Sequence, residues 1–295
     1  MNGFLNLLKP PGMSSAAAVA AIKRITGEKT GHAGTLDPEA CGVLPVMIGR
    51  AGRLLDYLPE EKKIYTAEIA FTGATDTQDA QGRITVPGEG VPDERSFLNV
   101  LPGFVGEIDQ IPPAYSALKL NGVPLYKAAR RGEMIEKPAR RITVHAITYL
   151  GPAQDGYRIR VNCSRGTYIR TLCHDIGVRL EKPAHMRLLL RELSAGFSIS
   201  DSVLLEEADT KEKIMRHLVS MDDAINNLGR YDVERKYFKQ ARNGARIPAQ
   251  QGTEENVPLR VYLNGLFLGV AVNCEGWLVF RVICAGPDDD FGVVL

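Results

Sequence analysis

The sequence predicts an α+β chain in two unequal parts, and three observations carry that prediction. Residues 65–71 and 158–163 alternate apolar and polar side chains with the two-residue period of half-buried strands. Residues 15–25 and 169–180 instead repeat their apolar side chains at helical spacing. Near Tyr231 an acidic, helical stretch gives way to short strands, which divides the chain into a large domain, residues 1–230, and a small all-β tail, residues 231–295.

Composition sets the class. At 295 residues, 44% hydrophobic and 24% charged, the chain is an ordinary globular one, long enough for one large core and a small second domain. No run of about 18 apolar residues exists, so no membrane-spanning helix is expected. The N-terminus lacks the basic lead and long apolar run of a signal peptide. Five cysteines without a C-x-x-C pair point to reduced thiols in a cytoplasmic protein and to no zinc site. The net charge of +1 hides segregation: residues 114–145 carry seven cations against two carboxylates, residues 158–191 eight against two, and residues 201–223 seven carboxylates against three cations. Such an arrangement suits a one-sided footprint for a polyanion.

In chain order, residues 4–8 form a short apolar strand that stops at the breaker-rich turn Lys9-Pro10-Pro11-Gly12. Ser14 or Ser15 caps a helix through Ile25, with Ala18, Ile22 and Ile25 on one face and Gly27 as its stop. A short helix at 51–58 precedes the strand whose buried face is Tyr65, Ala67, Ile69 and Phe71. Thr75 to Gly82 form a polar turn whose carboxylates, Asp76 and Asp79, have no histidine or third carboxylate nearby; no metal is expected there. Residues 96–104 form another short helix, after which Ile111-Pro112-Pro113 excludes a central strand. Residues 142–150 and 158–163 pair around a turn. Thr167 then caps a helix whose buried stripe is Ile169, Leu172, Cys173, Ile176 and Leu180. Arg170 falls in its first turn, where the helix dipole does not favour a cation, so a carboxylate partner would explain it. In the tail, residues 257–272 form a hairpin turning at Asn264-Gly265, and residues 277–283 a further strand.

The stretch that carries chemistry is Gly31-His32-Ala33-Gly34-Thr35-Leu36-Asp37-Pro38-Glu39-Ala40-Cys41-Gly42-Val43-Leu44. Its glycines let backbone approach a ligand or a neighbouring strand, and Pro38 keeps Asp37 out of the helical region. An isolated Asp-Pro is most often a capped turn. The whole string, however, resembles the GHTGTLDPxATGVL segment of the TruB family of tRNA pseudouridine synthases, departing from it at Ala33 and Cys41. Further stretches resemble that family in the same order: Lys9 to Ser14 its K-P-x-G-x-S, Lys63 to Ala67 its K-x-Y-x-A, Thr75 to Gly82 its T-D-T-x-D-x-x-G, and Ser164 to Arg170 its [S/C]-[K/R]-G-T-Y-I-R. Ala184 onward is similar to its A-H-L-x-x-L-R-R, with Leu190 where arginine is usual.

The resemblance implies a pseudouridine synthase domain with a mixed, largely antiparallel sheet and a central cleft, and a C-terminal PUA-like β-barrel that binds RNA. It implies isomerisation of the uridine at position 55, in the T-loop of tRNA. Asp37 would be the nucleophile, Arg170 its orienting partner and Tyr65 a stacking residue and possible base. His32, Tyr168, Leu189 and Lys9 would serve the substrate pocket, and an insertion at about 113–141 would grip the T-arm stem-loop. His185 is expected to be structural. The reaction breaks N1–C1′ and forms C5–C1′ without net atoms or electrons entering, so neither metal nor organic cofactor is expected. The protein should be a monomer with no obligate protein partner. Because the core motifs precede the tail, a chain ending near Gly229 is expected to fold and to act on a stem-loop.

Two other classes compete: a non-catalytic RNA-binding or RNA-folding protein, which would not need Asp37, and a glycoside-type hydrolase, which needs a second carboxylate that the motifs do not offer. If the basic segments meet phosphates, affinity for tRNA falls steeply with salt. Replacing Arg130, Arg131, Arg140 and Arg141 by alanine should weaken binding and flatten the slope of log K against log salt. An unchanged slope would move the footprint elsewhere.

Overall fold

A computed structural model describes residues 1–59, 62–113, 119–120, 123–124 and 138–286. The expected RNA-gripping insertion, with Arg130 and Arg131, lies largely outside the described residues. The elements that position the site are β1 (Gly3–Lys9), α1 (Ser15–Thr26), β2 (Thr30–His32), β3 (Cys41–Ile48), β4 (Lys63–Ala70), β5 (Gly73–Thr75), β6 (Ile84–Pro87), α2 (Glu94–Val100), β7 (Gly106–Gln110), β8 (Arg140–Ala153), β9 (Gly156–Cys163), α3 (Ile169–Arg179) and β10 (His185–Ser194).

One eleven-stranded sheet contains most of these strands, running from Val203–Leu204 through β1, β3, β10, β4, β9 and β8 to β7. It is mixed and largely antiparallel. Among its described pairs only β3 with β10 and β1 with Val203–Leu204 are parallel. The helical boundaries follow local chemistry. Ser14 caps α1 by accepting from the Ala17 N–H, and Gly27, in the left-handed region, ends it. Two expectations shift. The stretch after β3 is a 3-10 helix, Gly49–Tyr57. At α3 it is Tyr168 that occupies the cap position, without a side-chain cap bond, while the Thr167 hydroxyl donates to the Ser164 carbonyl.

The sheet is buried on both faces at its centre. Leu5, Leu7, Leu44, Val46, Ala67, Ile69, Ile159 and Val161 face a core that α1, α2 and α3 close with Ile22, Phe97, Leu172 and Ile176. The alternate residues of β1 and β3, Phe4, Val43 and Met47, pack on the opposite side with Leu54, Leu58 and Ile225. That second cluster also takes Val270 and Cys284, both essentially unexposed, from the C-terminal part. This two-sided burial explains why β3 reads as a continuous apolar run rather than an alternating one.

A second sheet of five strands follows: Gly229–Asp232, Pro258–Leu263, Leu266–Cys274, Trp277–Ile283 and Ile247–Pro248, in that spatial order. Asn264 and Gly265 both have positive φ, +50° and +80°, as the tight hairpin turn requires. It has its own core around Val261, Leu263, Leu268, Ala271 and Leu278. Its first strand starts at Gly229 and so crosses the expected division at residue 230. It is also tied to the preceding chain, because Arg260 and Tyr262 both donate to Asp222 and Arg53 donates to the Ile283 carbonyl. No helix among the described residues is long and apolar enough to cross a membrane.

The shared cluster bears on the expectation that a chain ending near Gly229 folds, because that chain would leave apolar side chains of this junction uncovered. Burying a side chain of valine or phenylalanine size is worth about 1.5–3 kcal/mol, and a domain of this size shifts by roughly 2–4 °C per kcal/mol. A chain ending at Gly229 loses Val270, Phe267 and Val282 from this junction, so a thermal melt should fall by on the order of 10 °C. A melt equal to that of the full chain would show that the junction contributes nothing.

Candidate active site

Asp37 sits on the loop between β2 and β3, and four groups hold that loop from different sides. The Ser15 hydroxyl, at the start of α1, donates to the Leu36 carbonyl and accepts from the Leu36 N–H, both at 2.9 Å. Lys9 at the end of β1 is wholly buried, and its ammonium donates to the carbonyls of Pro10 (2.7 Å), Met13 (2.6 Å) and Pro38 (2.9 Å). Arg191, equally buried on β10, donates from Nη2 to Gly34 (3.0 Å), from Nη1 to Thr35 (3.2 Å) and from Nε to Val43 (2.8 Å). The fourth group is Gly42 in the register opposite Arg191. Its φ is +110°, and a Cβ there would lie 2.2 Å from the Arg191 carbonyl oxygen, so only glycine lets β3 and β10 meet.

So fixed, the Asp37 carboxylate is 39% exposed and faces Arg170. Arg170 Nε lies 2.9 Å from Oδ2, and Nη2 donates to Oδ1 at 3.3 Å. The remaining nitrogen, Nη1, donates to the Thr77 carbonyl at 3.1 Å and meets Asp79 Oδ2 at 3.4 Å. Asp79 is itself held by the Thr77 hydroxyl at 2.6 Å and the Gln81 N–H at 3.1 Å. The polar turn at 75–82 therefore braces the guanidinium, and this supplies the carboxylate partners that its place in the first turn of α3 called for. Burial pushes the Asp37 carboxyl above the usual carboxylate range; Arg170 pulls it back down, and Asp79 adds to the upward push.

These groups open onto a cleft of about 300 Å³ lined by Asp37, Tyr65, Leu189, Tyr168, Lys63 and Arg165, among others. Tyr65 on β4 is 7% exposed, and burial pushes its phenol up, so the ring is neutral near pH 7; its hydroxyl interacts with Arg191. Leu189 on β10 lies opposite Ala67 and forms an apolar wall. Tyr168 owes its place to Gln110 at the end of β7, which is 2% exposed. Gln110 clamps the Tyr168 backbone from both sides, donating to the carbonyl at 3.0 Å and accepting from the N–H at 2.8 Å.

Of the seven residues singled out from sequence, five therefore meet at one cleft: Asp37, Tyr65, Tyr168, Arg170 and Leu189. Two do not. Lys9 has no exposed surface and its three donors are bound to carbonyls, so it shapes the loop rather than touching a substrate. His32 lies half-buried on β2 opposite Val46, away from the cleft wall, and burial together with Arg191 pushes its pKa down. His185, expected to be structural, is buried and absent from the cleft lining, with Nδ1 2.8 Å from the Gly73 carbonyl.

Sequence reasoning missed the roles of Arg191 and Gln110. Arg191 reads as one of the phosphate-facing cations of residues 158–191 but is buried within the fold, as is Arg170, and four others have carboxylate partners at the surface. Arg158 pairs with Glu68, Arg160 with Glu192, Lys182 with Glu89 and Arg187 with Asp155. Charge counted along the chain does not register carboxylates that neighbouring strands and turns bring in. Nothing in the local sequence marks Gln110.

A family model described as TruB family pseudouridylate synthase (N terminal domain) matches residues 23–169. The tRNA pseudouridine synthase B of Clostridium perfringens is 40% identical over 285 residues, covering 93% of this chain and 96% of that protein. That of Syntrophotalea carbinolica is 47% identical over 208 residues, 70% and 68% of the respective chains. Among solved structures, a chain of a Cbf5-Nop10-Gar1 complex is similar with a TM-score of 0.73 and 26% identity, over 97% of this chain and 86% of that one. Matched by such relatives across nearly its whole length, the chain belongs to the TruB family of pseudouridine synthases, isomerases that act on RNA.

Proposed function

We propose that this enzyme converts uridine 55 in the T-loop of tRNA to pseudouridine in the cytoplasm, as a monomer, with Asp37 as covalent nucleophile. The observation that carries the reading is the two-point contact between Arg170 and Asp37 at the floor of a cleft walled by Tyr65 and Leu189. A guanidinium held on its far side by Asp79 and Thr77 keeps the carboxylate ionised and aimed. The target base must leave its stack to enter the cleft and reach the Asp37 carboxylate, so the nucleotide flips. It then lies between the Tyr65 ring and Leu189. A neutral, buried phenol is a poor base, which favours stacking as the role of Tyr65.

The isomerisation detaches uracil N1 from C1′, turns the base and joins C5 to C1′, with the C5 proton lost and N1 left carrying one. Asp37 supplies the electron pair that stabilises the detached state. The relatives' printed names specify tRNA, which supports that substrate class. The C-terminal five-stranded sheet is proposed as a PUA-like module that holds tRNA away from the reacting uridine and supplies binding energy rather than a catalytic group.

Incubating the protein with unmodified tRNA and analysing its nucleosides tests the function. Pseudouridine is expected, whereas unchanged tRNA fits a binding protein and free uracil a hydrolase. Asp37→Asn should keep tRNA binding and the cooperative melt while product falls below detection. Product at an appreciable fraction of the wild-type rate would remove Asp37 from its role. The pH profile gives a separate check. With a raised Asp37 pKa, the ionised nucleophile is lost on acidification earlier than an ordinary carboxylate of pKa about 3.9 would be, so the acid limb of kcat/KM lies above that value. Arg170→Gln removes the group that pulls the carboxyl down, so the limb should move further toward neutral pH; no movement would mean that the pair does not tune Asp37.

A further inference from the structure

Two cleft residues, Tyr168 and Arg170, leave the chain within one turn of each other, at the start of α3. Asp37, Asp79 and Thr77 hold the guanidinium of Arg170, but they fix only the tip of a long side chain. Its base is the first turn of a helix that opens without a side-chain cap bond, with Tyr168 at the cap position in an extended conformation, φ −98° and ψ 107°. Gln110 holds that turn from 58 residues away. Its Nε2 donates at 3.0 Å to the Tyr168 carbonyl, the same oxygen that accepts the helical bond from the Leu172 N–H at 3.0 Å. Its Oε1 accepts from the Tyr168 N–H at 2.8 Å. A side-chain amide carries a donor and an acceptor side by side, as pairing with both backbone groups of one residue requires. Gln110 is 2% exposed, lies at the end of β7 in register with Arg140 of β8, and is absent from the cleft lining.

We infer that Gln110 is a positioning residue for the isomerisation: by anchoring the first turn of α3 it sets both the Tyr168 ring in the cleft and the approach of Arg170 to Asp37. The inference rests on the proposed reaction and deepens it. The N–H and carbonyl of residue 168 fix the direction from which its own side chain leaves, and Arg170 follows two residues later on the same turn. Replacing the amide by an apolar chain takes away a donor and an acceptor from buried backbone groups, and a helix end left so frays or rotates. Either movement carries Tyr168 and Arg170 together relative to Asp37. Misplacement of this kind slows the chemical step more than it weakens binding, because the rest of the RNA-binding surface is unchanged. Gln110 touches no reacting atom, so its whole effect passes through these two side chains.

The test measures single-turnover rates on a T-arm stem-loop against enzyme concentration and pH for two variants of the full chain. Gln110→Met keeps the size of the side chain and removes both hydrogen bonds. Its rate at saturating enzyme should fall about tenfold, with the half-saturating concentration unchanged within about twofold. Of the charged groups that act on Asp37, namely Arg170, Asp79, Lys9 and Arg191, only Arg170 is displaced, and it pulls the carboxyl down. The acid limb should therefore move toward neutral pH, in the same direction as for Arg170→Gln and by less. Gln110→Glu is the conservative variant. Its ionised carboxylate accepts from the Tyr168 N–H but has no hydrogen for the carbonyl, whereas the protonated acid makes both bonds. The ratio of its rate to that of wild-type protein at the same pH should therefore rise as pH falls. Where Gln110→Met does not melt cooperatively, this ratio alone decides. A slower Gln110→Met with an unmoved acid limb, or a flat ratio for Gln110→Glu, would reduce Gln110 to a packing residue and overturn the assignment. Failure of wild-type protein to form pseudouridine would instead overturn the underlying function.

Discussion

Two buried cations hold the reactive loop in place, and the rest of the site depends on them. Lys9 and Arg191 have no exposed surface, yet each donates three hydrogen bonds to main-chain carbonyls, and Arg191 also meets the Tyr65 hydroxyl. A buried charge of this kind is tolerable only when every donor is satisfied, and a loop carbonyl away from the sheet is tolerable only when something donates to it. Each requirement answers the other. The loop from Ala33 to Ala40, which has little regular secondary structure, thereby acquires a defined backbone, and Asp37 projects from a rigid base.

The second layer of organisation is a chain of charges that alternates sign. Asp79, anchored in its own turn, faces Arg170; Arg170 faces Asp37; and Arg191 lies behind Tyr65 and the loop. The carboxylate is consequently pushed up by burial and pulled down by its guanidinium, two opposed influences acting on one group. Preorganisation of this sort means that little rearrangement is needed when a substrate displaces water from the cleft. The arginine is supplied by a helix and the aspartate by a loop 133 residues earlier. The sheet is the common frame: β3 leaves the loop, β4 and β10 form the wall, and β7 delivers the Gln110 clamp that sets Tyr168.

The C-terminal sheet is more than an appendage. By packing Val270 and Cys284 against Phe4, Val43 and Leu54, it covers the second face of the strands that carry Lys9 and the Asp37 loop. None of its described residues lines the cleft.

Much of this was legible in the sequence. Period-two alternation located β4 and β9, helical spacing located α1 and α3, and Asn264-Gly265 marked a hairpin turn, because each signal is local and its cause acts within a few residues. The string around Asp37 and the one around Arg170 identified the two charged partners, and the misplaced cation at the start of α3 already asked for a carboxylate. What only the tertiary structure decided concerns residues whose partners are distant in the chain. Lys9 reads as a substrate contact until three carbonyls are seen around it. Arg191 reads as a phosphate contact until β10 is placed beside β3. Arg158, Arg160, Arg187 and Lys182 look free until strands β4 and β10 and nearby turns bring Glu68, Glu192, Asp155 and Glu89 against them. The tail looks separable until its apolar side chains are found in a shared core. Periodicity reports which face of an element is buried; it cannot report what the buried face meets, because that depends on contacts made across long loops of chain.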